Sequence, residues 1–330
     1  MRKSGASVMA RSIAYGRVGS MTVSPTKLLR RSLMLLGALA PWAWFLVRDA
    51  RPALNAVAVA LPALGLGTGV ALLVIAGLTR RLLPAVTALS LACMTTLAII
   101  GPRRAQEAIT PAVPITIAFA NVYDENHQPE EAVDDLLGRG TDIVVAVEAT
   151  EPFRDAIQVA DDAHRFQVDD GQLLLHAIWP VELLDPPDAL PEGRAMLVRV
   201  LPPQVSPVSV LVLHAPNPSS ATTFAAQTRQ VEQIEEVALE LAERGPVVIV
   251  GDFNLSDRTS GYRRMDASFR DVMRAGTTAH NTYAGGVWRF AMLRIDHLFV
   301  GRSWCASDPD VFDVGGSDHR GLQAVIGPCA

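Results

Sequence analysis

Six polar clusters stand at the ends of apolar runs in this sequence. Asn121 follows PITIAFA, Glu148 follows DIVVAV, His214 follows VSVLVL, and Gly251-Asp252-Phe253-Asn254 follows PVVIV. Asp296 lies within RIDHLFV, and Ser317-Asp318-His319 precedes GLQAVI. Open α/β sheets place their sites at such strand ends. Carboxylates and amides are hard oxygen donors, and a cation such as Mg²⁺ binds through one or two carboxylates plus water and phosphate. Glu148, Asp252 and Asp318, with the Asn121 and Asn254 amides, supply that set. Burying those carboxylates without an ion would be costly. A histidine beside an aspartate moves protons near neutral pH, and the carboxylate holds it in one tautomer.

The elements that must position these residues are short β-branched runs alternating with amphipathic stretches. Strands are expected at 114–122, 142–147, 172–178, 195–201, 208–213, 247–250, 294–300, 310–314 and 321–326. Helices are expected at 129–137, opened by acids that suit its N-terminal dipole, at 151–160, and at 221–244, which stops at Gly245-Pro246. The stretch 183–207 carries six prolines and reads as loop. So many strands with so few helices between them suggest two packed sheets with helices outside, not a simple doubly wound sheet.

Upstream, the composition changes. Residues 1–104 hold thirteen Lys or Arg and one acid, a net of +12, whereas 105–330 hold sixteen Arg, no Lys and thirty-three acids, a net of −17. A basic apolar portion is therefore joined to an acidic one, and a Lys-free acidic domain is poorly suited to gripping a long polyanion. Three apolar stretches occupy 32–47, 52–79 and 82–101. A spanning helix needs roughly 20 apolar residues, so the second and third qualify. The first has sixteen residues and is interrupted by Pro41, although Trp42, Trp44 and Phe45 suit an interface. No small-residue cleavage site follows Val47, against a signal peptide, and no acid lies between Arg51 and Glu107, against a buried soluble hairpin.

The expected order is a basic cytoplasmic N-terminus (1–31), three transmembrane helices (32–47, 52–79, 82–101), a linker (102–112) and a soluble domain (113–330). Seven Lys or Arg precede the first stretch. Three crossings then put the domain outside the cytoplasm, and the side reverses if the first stretch does not span. Cys305 and Cys329 either pair in an oxidising compartment or remain free buried thiols.

Taken singly, each polar cluster has an ordinary use. Gly-Asp-x-Asn after a strand makes a turn, and a strand-end Asn or Glu makes a cap. In this order and context, the series Asn–Glu–His–GDFN–IDH–SDH resembles the endonuclease/exonuclease/phosphatase superfamily across 113–326, with the preceding spans similar to a membrane-bound bacterial branch. The resemblance implies a four-layer α/β/β/α sandwich of the deoxyribonuclease-I-like kind and a metal-dependent phosphoric ester hydrolase using Mg²⁺ or Mn²⁺. It implies metal-side roles for Glu148, Asn121, Asp318 and Asp252. It makes Asp252 and Asn254 the residues that place the attacking water and phosphate, His319 the catalytic histidine oriented by Asp296, and His214 a second histidine at the phosphate or leaving oxygen. Which group takes the proton from water stays open.

Two departures are visible. His176-Ala177-Ile178-Trp179-Pro180 stands where relatives carry a Ser-Arg-x-Pro-like element, and Glu148 stands in AVEAT instead of Leu-Gln-Glu. These leave the substrate open among a lipid head group, a small phosphoester and nucleic acid, and the domain's acidity favours the first two. A catalytically silent binding or scaffold protein is the alternative, although every core position holds the expected residue type. His297 should face away from Asp296 as a structural residue. His164, His176 and His280 show no partner pattern, Asn126 and His127 fit a rim, and Tyr283, Trp288 and Phe290 fit core packing better than a pocket.

Overall fold

The computed structural model describes residues 25–47, 52–100, 114–185, 190, 193–203, 205–275, 281–286 and 292–330. The linker 102–112 and most of the N-terminal segment 1–31 lie outside these, as do His280, Trp288 and Phe290.

Three helices come first: α1 (Pro25–Val47), α2 (Pro52–Thr79) and α3 (Leu82–Ile100). The second and third match the expected apolar stretches closely, while α1 begins seven residues earlier than its stretch and keeps Pro41 inside. Among the described residues one helix, Val59–Thr79, is long and apolar enough to cross a membrane, and Leu82–Ala98 is a shorter apolar helix. Small residues let the three approach closely: a Cβ on Gly65 would fall on the Thr95 side chain, and one on Gly37 against Thr87. Trp42 donates from its indole to Ser90 Oγ across α1 and α3 (3.1 Å).

The remaining chain builds two six-stranded sheets. In chain order the elements are β1 (Ile115–Asn121), α4 (Pro129–Leu137), β2 (Ile143–Val147), α5 (Glu151–Ala160), β3 (Phe166–Asp170), β4 (Leu173–Ala177), β5 (Val181–Leu184), β6 (Ala195–Val200) and β7 (Val208–His214). They continue with α6 (Ala221–Arg244), β8 (Val247–Asp252), α7 (Ser260–Ser268), β9 (Arg270–Asp271), β10 (Asp296–Val300), β11 (Trp304–Asp313) and β12 (Arg320–Pro328). One sheet runs β11-β12-β1-β2-β4-β3 and the other β5-β6-β7-β8-β10-β9.

The two-residue period of a strand explains the layering. Ile117, Phe119, Val145 and Val147 face Val210, Val212, Val248 and Val250 in the core between the sheets. The residues between them face outward: Ala118, Ala120, Val144 and Ala146 pack on Val133 and Leu136 of α4 and Phe153 and Ile157 of α5. On the other side Leu211, Leu213 and Ile249 pack on Val231 and Ile234 of α6 and Tyr262 and Met265 of α7. Strands buried on both faces read as continuous apolar runs, as IVVAV does. The result is the α/β/β/α sandwich that the resemblance implied. α6 starts where Ser220 accepts from the Thr223 N–H and Thr223 closes a reciprocal bond to the Ser220 N–H.

Four elements escaped the sequence reading, among them the two-residue β9. β3 is an edge strand exposed along much of its length, β5 runs into the start of the proline-rich stretch read as loop, and α7 has a mostly polar sequence. Cys305 and Cys329 form a disulfide joining the start of β11 to the end of β12. His164 and His176 do have partners: both Nδ1 atoms lie 2.8 Å from Asp161, one on each carboxylate oxygen, and His164 Nε2 donates to the Thr141 carbonyl (2.7 Å). They tie α5 to β4, a contact between segments fifteen residues apart that spacing does not reveal.

β1–β2 and β7–β8 are parallel pairs, whereas β10 and β12 run antiparallel to their neighbours. The C-terminal ends of the first four strands therefore meet the N-terminal ends of the last two. Gly251 sits where β8 passes β7 so closely that a Cβ would overlap the Leu213 backbone. Gly251→Ala should destabilise the domain by about 1–3 kcal/mol, the usual cost of overpacking, read as a lower urea midpoint. An unchanged midpoint would show that β7 and β8 can separate freely here.

Candidate active site

Each strand end delivers one polar side chain to a pocket of about 570 Å³. Register does the positioning. Asn121 closes β1 opposite Val147, so Glu148 emerges one residue beyond. His214 stands opposite Asp252 across the parallel β7–β8 pair, and Asp252 stands opposite Asp296 across β8–β10. His319 immediately precedes β12 and bridges to Tyr283.

Buried Asn121 connects the two sheets. Its amide donates to Glu148 Oε1 (2.9 Å) and Asp252 Oδ2 (3.2 Å), while its oxygen accepts the Tyr123 N–H (2.9 Å). Glu148 has a φ of 57°, a left-handed conformation uncommon for a residue with a Cβ and found disproportionately at functional sites. That turn aims its carboxylate at the pocket, where Oε2 accepts the Asp124 N–H (2.9 Å) and Oε1 lies 3.2 Å from His214 Nε2. Burial works against its charge, but the bonds from His214 and Asn121 prevail and hold the carboxyl down at about 2.

Asp252 is 1% exposed. It accepts the Asn254 N–H (2.7 Å), the Asn254 amide (3.2 Å) and the Asn121 amide. Asn254 also takes a left-handed φ, 48°, and its amide reaches the Ala215 carbonyl (2.9 Å), so the GDFN turn is pinned to the end of β7. Burial, and then the facing Asp296, push the Asp252 carboxyl well above the ordinary range.

Opposite stands a histidine–aspartate pair. His319 Nδ1 donates to fully buried Asp296 (2.9 Å to Oδ2), which leaves Nε2 facing Asp252 Oδ2 at 3.8 Å and Asp318 Oδ1 at 3.9 Å. Burial lowers the imidazole's proton affinity, but the surrounding carboxylates, Asp296 foremost, raise it to about 10. Thr282 Oγ1 accepts the N–H groups of Ile295 and Asp296 (3.1 Å each). Beneath them Arg294 is paired with Asp271 and Asp257, and Tyr262 donates to Asp271. His297 points away from the site as expected, donating from Nε2 to the Leu255 carbonyl (2.7 Å), and burial keeps it neutral with a value lowered to about 4.

The structure thus gathers Glu148, His214, Asp252, Asn254, Asp318 and His319 around one pocket, with Asn121 and Asp296 buried behind them and bonded to Glu148, Asp252 and His319. Two sets of donors each lie within 4.8 Å of one another: Glu148, His214 and Asp252, and Asp252, Asp296 and His319. Asp318 sits on the His319 side, bonded to the Tyr283 hydroxyl, and burial raises its carboxyl. A divalent cation fits this donor set. Glu148 is already ionised, the oxygen atoms suit Mg²⁺ or Mn²⁺, and the crowded Asp252 carboxylate lacks a countercharge as close as a bound ion would supply.

Tyr283 belongs to the site despite the expectation that it would pack in the core. Its ring meets His319 edge-on (centroids 4.9 Å apart, planes at 66°), and burial together with Asp318 pushes its hydroxyl up to about 12. Its bridge to His319 crosses thirty-six positions and leaves no spacing signal. Asn126, expected at the rim, does not line the pocket and instead ties two loops together by bonding the Val122 and Gly315 carbonyls (2.9 Å each).

The model of the endonuclease/exonuclease/phosphatase family matches residues 118–319. Among solved structures, an endonuclease/exonuclease/phosphatase from Beutenbergia cavernae has a TM-score of 0.53 at 16% identity, with 66% of this chain and 72% of that one covered. Humanised TDP2 of D. rerio gives 0.53 at 17% identity, covering 65% and 99%. Truncated Caenorhabditis elegans TDP2 gives 0.53 at 13%, covering 65% and 98%. At these identities the likeness is one of fold. No curated protein matches the sequence.

Asp296→Asn removes the carboxylate that most favours charged His319, so the His319 titration should fall well below about 10, followed by NMR of the ring protons. The folded value lies above the ordinary imidazole value of 6.5, so the pair's stabilisation is complete below that pH and lost as pH rises through about 10. An unmoved titration in the variant would refute the assignment.

Proposed function

Because the chain belongs to the endonuclease/exonuclease/phosphatase family, and so is a metal-dependent phosphoric ester hydrolase, we propose that it is membrane-anchored and cleaves its ester by in-line attack of a water held at Asp252. The observation that carries this reading is the buried His319–Asp296 pair facing Asp252 across 3.8 Å, beside the Glu148–His214–Asp252 donors.

Glu148, Asn121 and Asp252 would hold the cation, Mg²⁺ or Mn²⁺, with Asp318 on the opposite wall. When bound, it neutralises charge on the phosphoryl oxygens and activates water. Asp252 and Asn254 position the attacking water. Asp252 also stands beside the path of the water's proton, 3.8 Å from His319 Nε2. His319, kept cationic by Asp296, stabilises a phosphoryl oxygen as charge builds there. His214, with Nε2 toward Glu148, stands by the phosphate or the leaving oxygen.

Anchoring is supported by the outward faces of α1–α3, where Leu36, Leu39, Val70, Leu73, Leu78 and Leu89 are exposed in a way water would penalise. The apolar part of α1, residues 32–47, is about 24 Å long, and Lys27, Arg30 and Arg31 of the same helix would stand at the cytoplasmic boundary. Three spans with a basic N-terminus inside leave the hydrolase domain outside the cytoplasm, in keeping with the Cys305–Cys329 disulfide.

The test is hydrolysis of bis-p-nitrophenyl phosphate by the full chain in detergent, with and without Mg²⁺ or Mn²⁺. His319→Ala should lower kcat by about 10²–10⁴-fold with little change in metal affinity. Glu148→Gln should instead weaken apparent metal binding by about 10–100-fold or more. Folded protein that binds no metal and turns over no ester would refute the reading.

A further inference from the structure

One wall of the active-site pocket comes from outside the hydrolase domain. Val59 of α2 lines the pocket together with Glu148, Asp252 and His319. It packs against Leu293, Ile295 and Tyr283, so that side of the pocket is apolar. The contact is clamped. Arg258, 3% exposed, donates from one guanidinium nitrogen to the Val59 carbonyl (3.0 Å) and from another to the Met292 carbonyl (2.6 Å). Met292 itself is an exposed apolar side chain next to this contact.

Val59 also lies within the apolar stretch 52–79, which forms α2 and leads directly to Arg80 and Arg81. From Val59 to Thr79 this span has 21 residues. At about 1.5 Å per residue the span is about 31 Å long, which matches a hydrocarbon core of about 30 Å. With the two arginines at one boundary, Val59 lies at the other. Counted back from Thr79, a core of that thickness ends at Val59, and the seven earlier residues of α2 extend about 10 Å beyond it toward the domain. The pocket wall at Val59 is thereby level with the lipid head groups.

We infer that the active-site pocket opens at the bilayer surface and that the substrate is a lipid-borne phosphoric ester. Its phosphate enters toward Glu148 and His319 while its apolar part passes along Val59, Leu293 and Met292 into the membrane. The net charge of −17 beyond residue 104 disfavours long soluble polyanions, whereas a head group is delivered by the bilayer whatever the domain's charge. This inference rests on the anchored phosphoesterase reading and adds the substrate class to it.

The experiment uses the full chain, reconstituted in vesicles of phosphatidylcholine, phosphatidylglycerol and sphingomyelin with Mg²⁺ or Mn²⁺. Release of phosphorylated head group or of phosphate is followed beside turnover of bis-p-nitrophenyl phosphate. Hydrolysis of a vesicle lipid is expected. Arg258→Gln, which loosens the clamp, should cut lipid turnover by at least about tenfold through lost effective concentration, with soluble-ester turnover within about twofold of the parent. Cleavage of the soluble ester with every vesicle lipid intact overturns this inference alone. Silence toward both overturns the phosphoesterase reading and this inference with it. Should Arg258→Gln not fold, a fluorophore on Met292→Cys in a Cys93→Ala background reads the depth directly. Quenching by head-group-labelled lipid is expected, and no quenching by any lipid would place the pocket away from the bilayer and refute the inference.

Discussion

Two buried carboxylates face each other across neighbouring strands, and the rest of the domain is arranged around that repulsion. Asp252 and Asp296 are register partners in β8 and β10, both almost fully withdrawn from water. Two such charges are expensive unless paired or bound to a cation. His319 bonds to Asp296, and Asn121 and Asn254 donate to Asp252. What this network leaves uncompensated is negative charge on the Glu148 side of Asp252, where a divalent ion has oxygen donors ready. Burial, and then that repulsion, raise the proton affinity of Asp252, while the surrounding carboxylates favour a charged His319.

That geometry depends on the sandwich beneath it. The two sheets interlock through β-branched side chains, and their ends come into register because β1, β2, β7 and β8 run one way and β10 and β12 the other. Under β10, Arg294 with Asp271, Asp257 and Tyr262 forms a second charged layer, fully hydrogen-bonded and away from the pocket. It fixes the backbone that carries Asp296, which is the use such buried networks best support. Left-handed conformations at Glu148 and Asn254 then turn two side chains into the pocket that extended strands would have aimed elsewhere.

The N-terminal helices and the catalytic domain meet at the pocket itself. Arg258 reaches from the loop before α7 to a carbonyl of α2, so the domain's orientation toward the helices is set by a charge-assisted hydrogen bond as well as by apolar contact. A site built partly from an apolar helix differs from one that opens only to solvent. It offers a phosphate a polar floor and a hydrocarbon chain an apolar wall.

Much of this was legible in the sequence because strand burial writes a local record. PITIAFA, DIVVAV, VSVLVL and PVVIV could only be strands buried on both faces, and each is followed by the polar residue that reaches the pocket. Helices α2, α4, α5 and α6 carried their own caps, prolines or apolar stretches and were expected within a residue or so of their bounds. Elements with weak local signals were not: β3 and β5 lie at sheet edges, and α7 is held by tertiary contacts rather than by its own sequence. Tertiary structure alone decided which polar residues touch. The edge-on Tyr283–His319 contact, the Asp161 clasp on His164 and His176, the Cys305–Cys329 bond and the Val59 wall join segments whose separation leaves no periodic trace. Sequence determines the period of burial and the chemistry available at strand ends, since both are properties of neighbouring residues. Which ends converge, and what charge they must then tolerate, follows only when two sheets pack and distant chains share one volume.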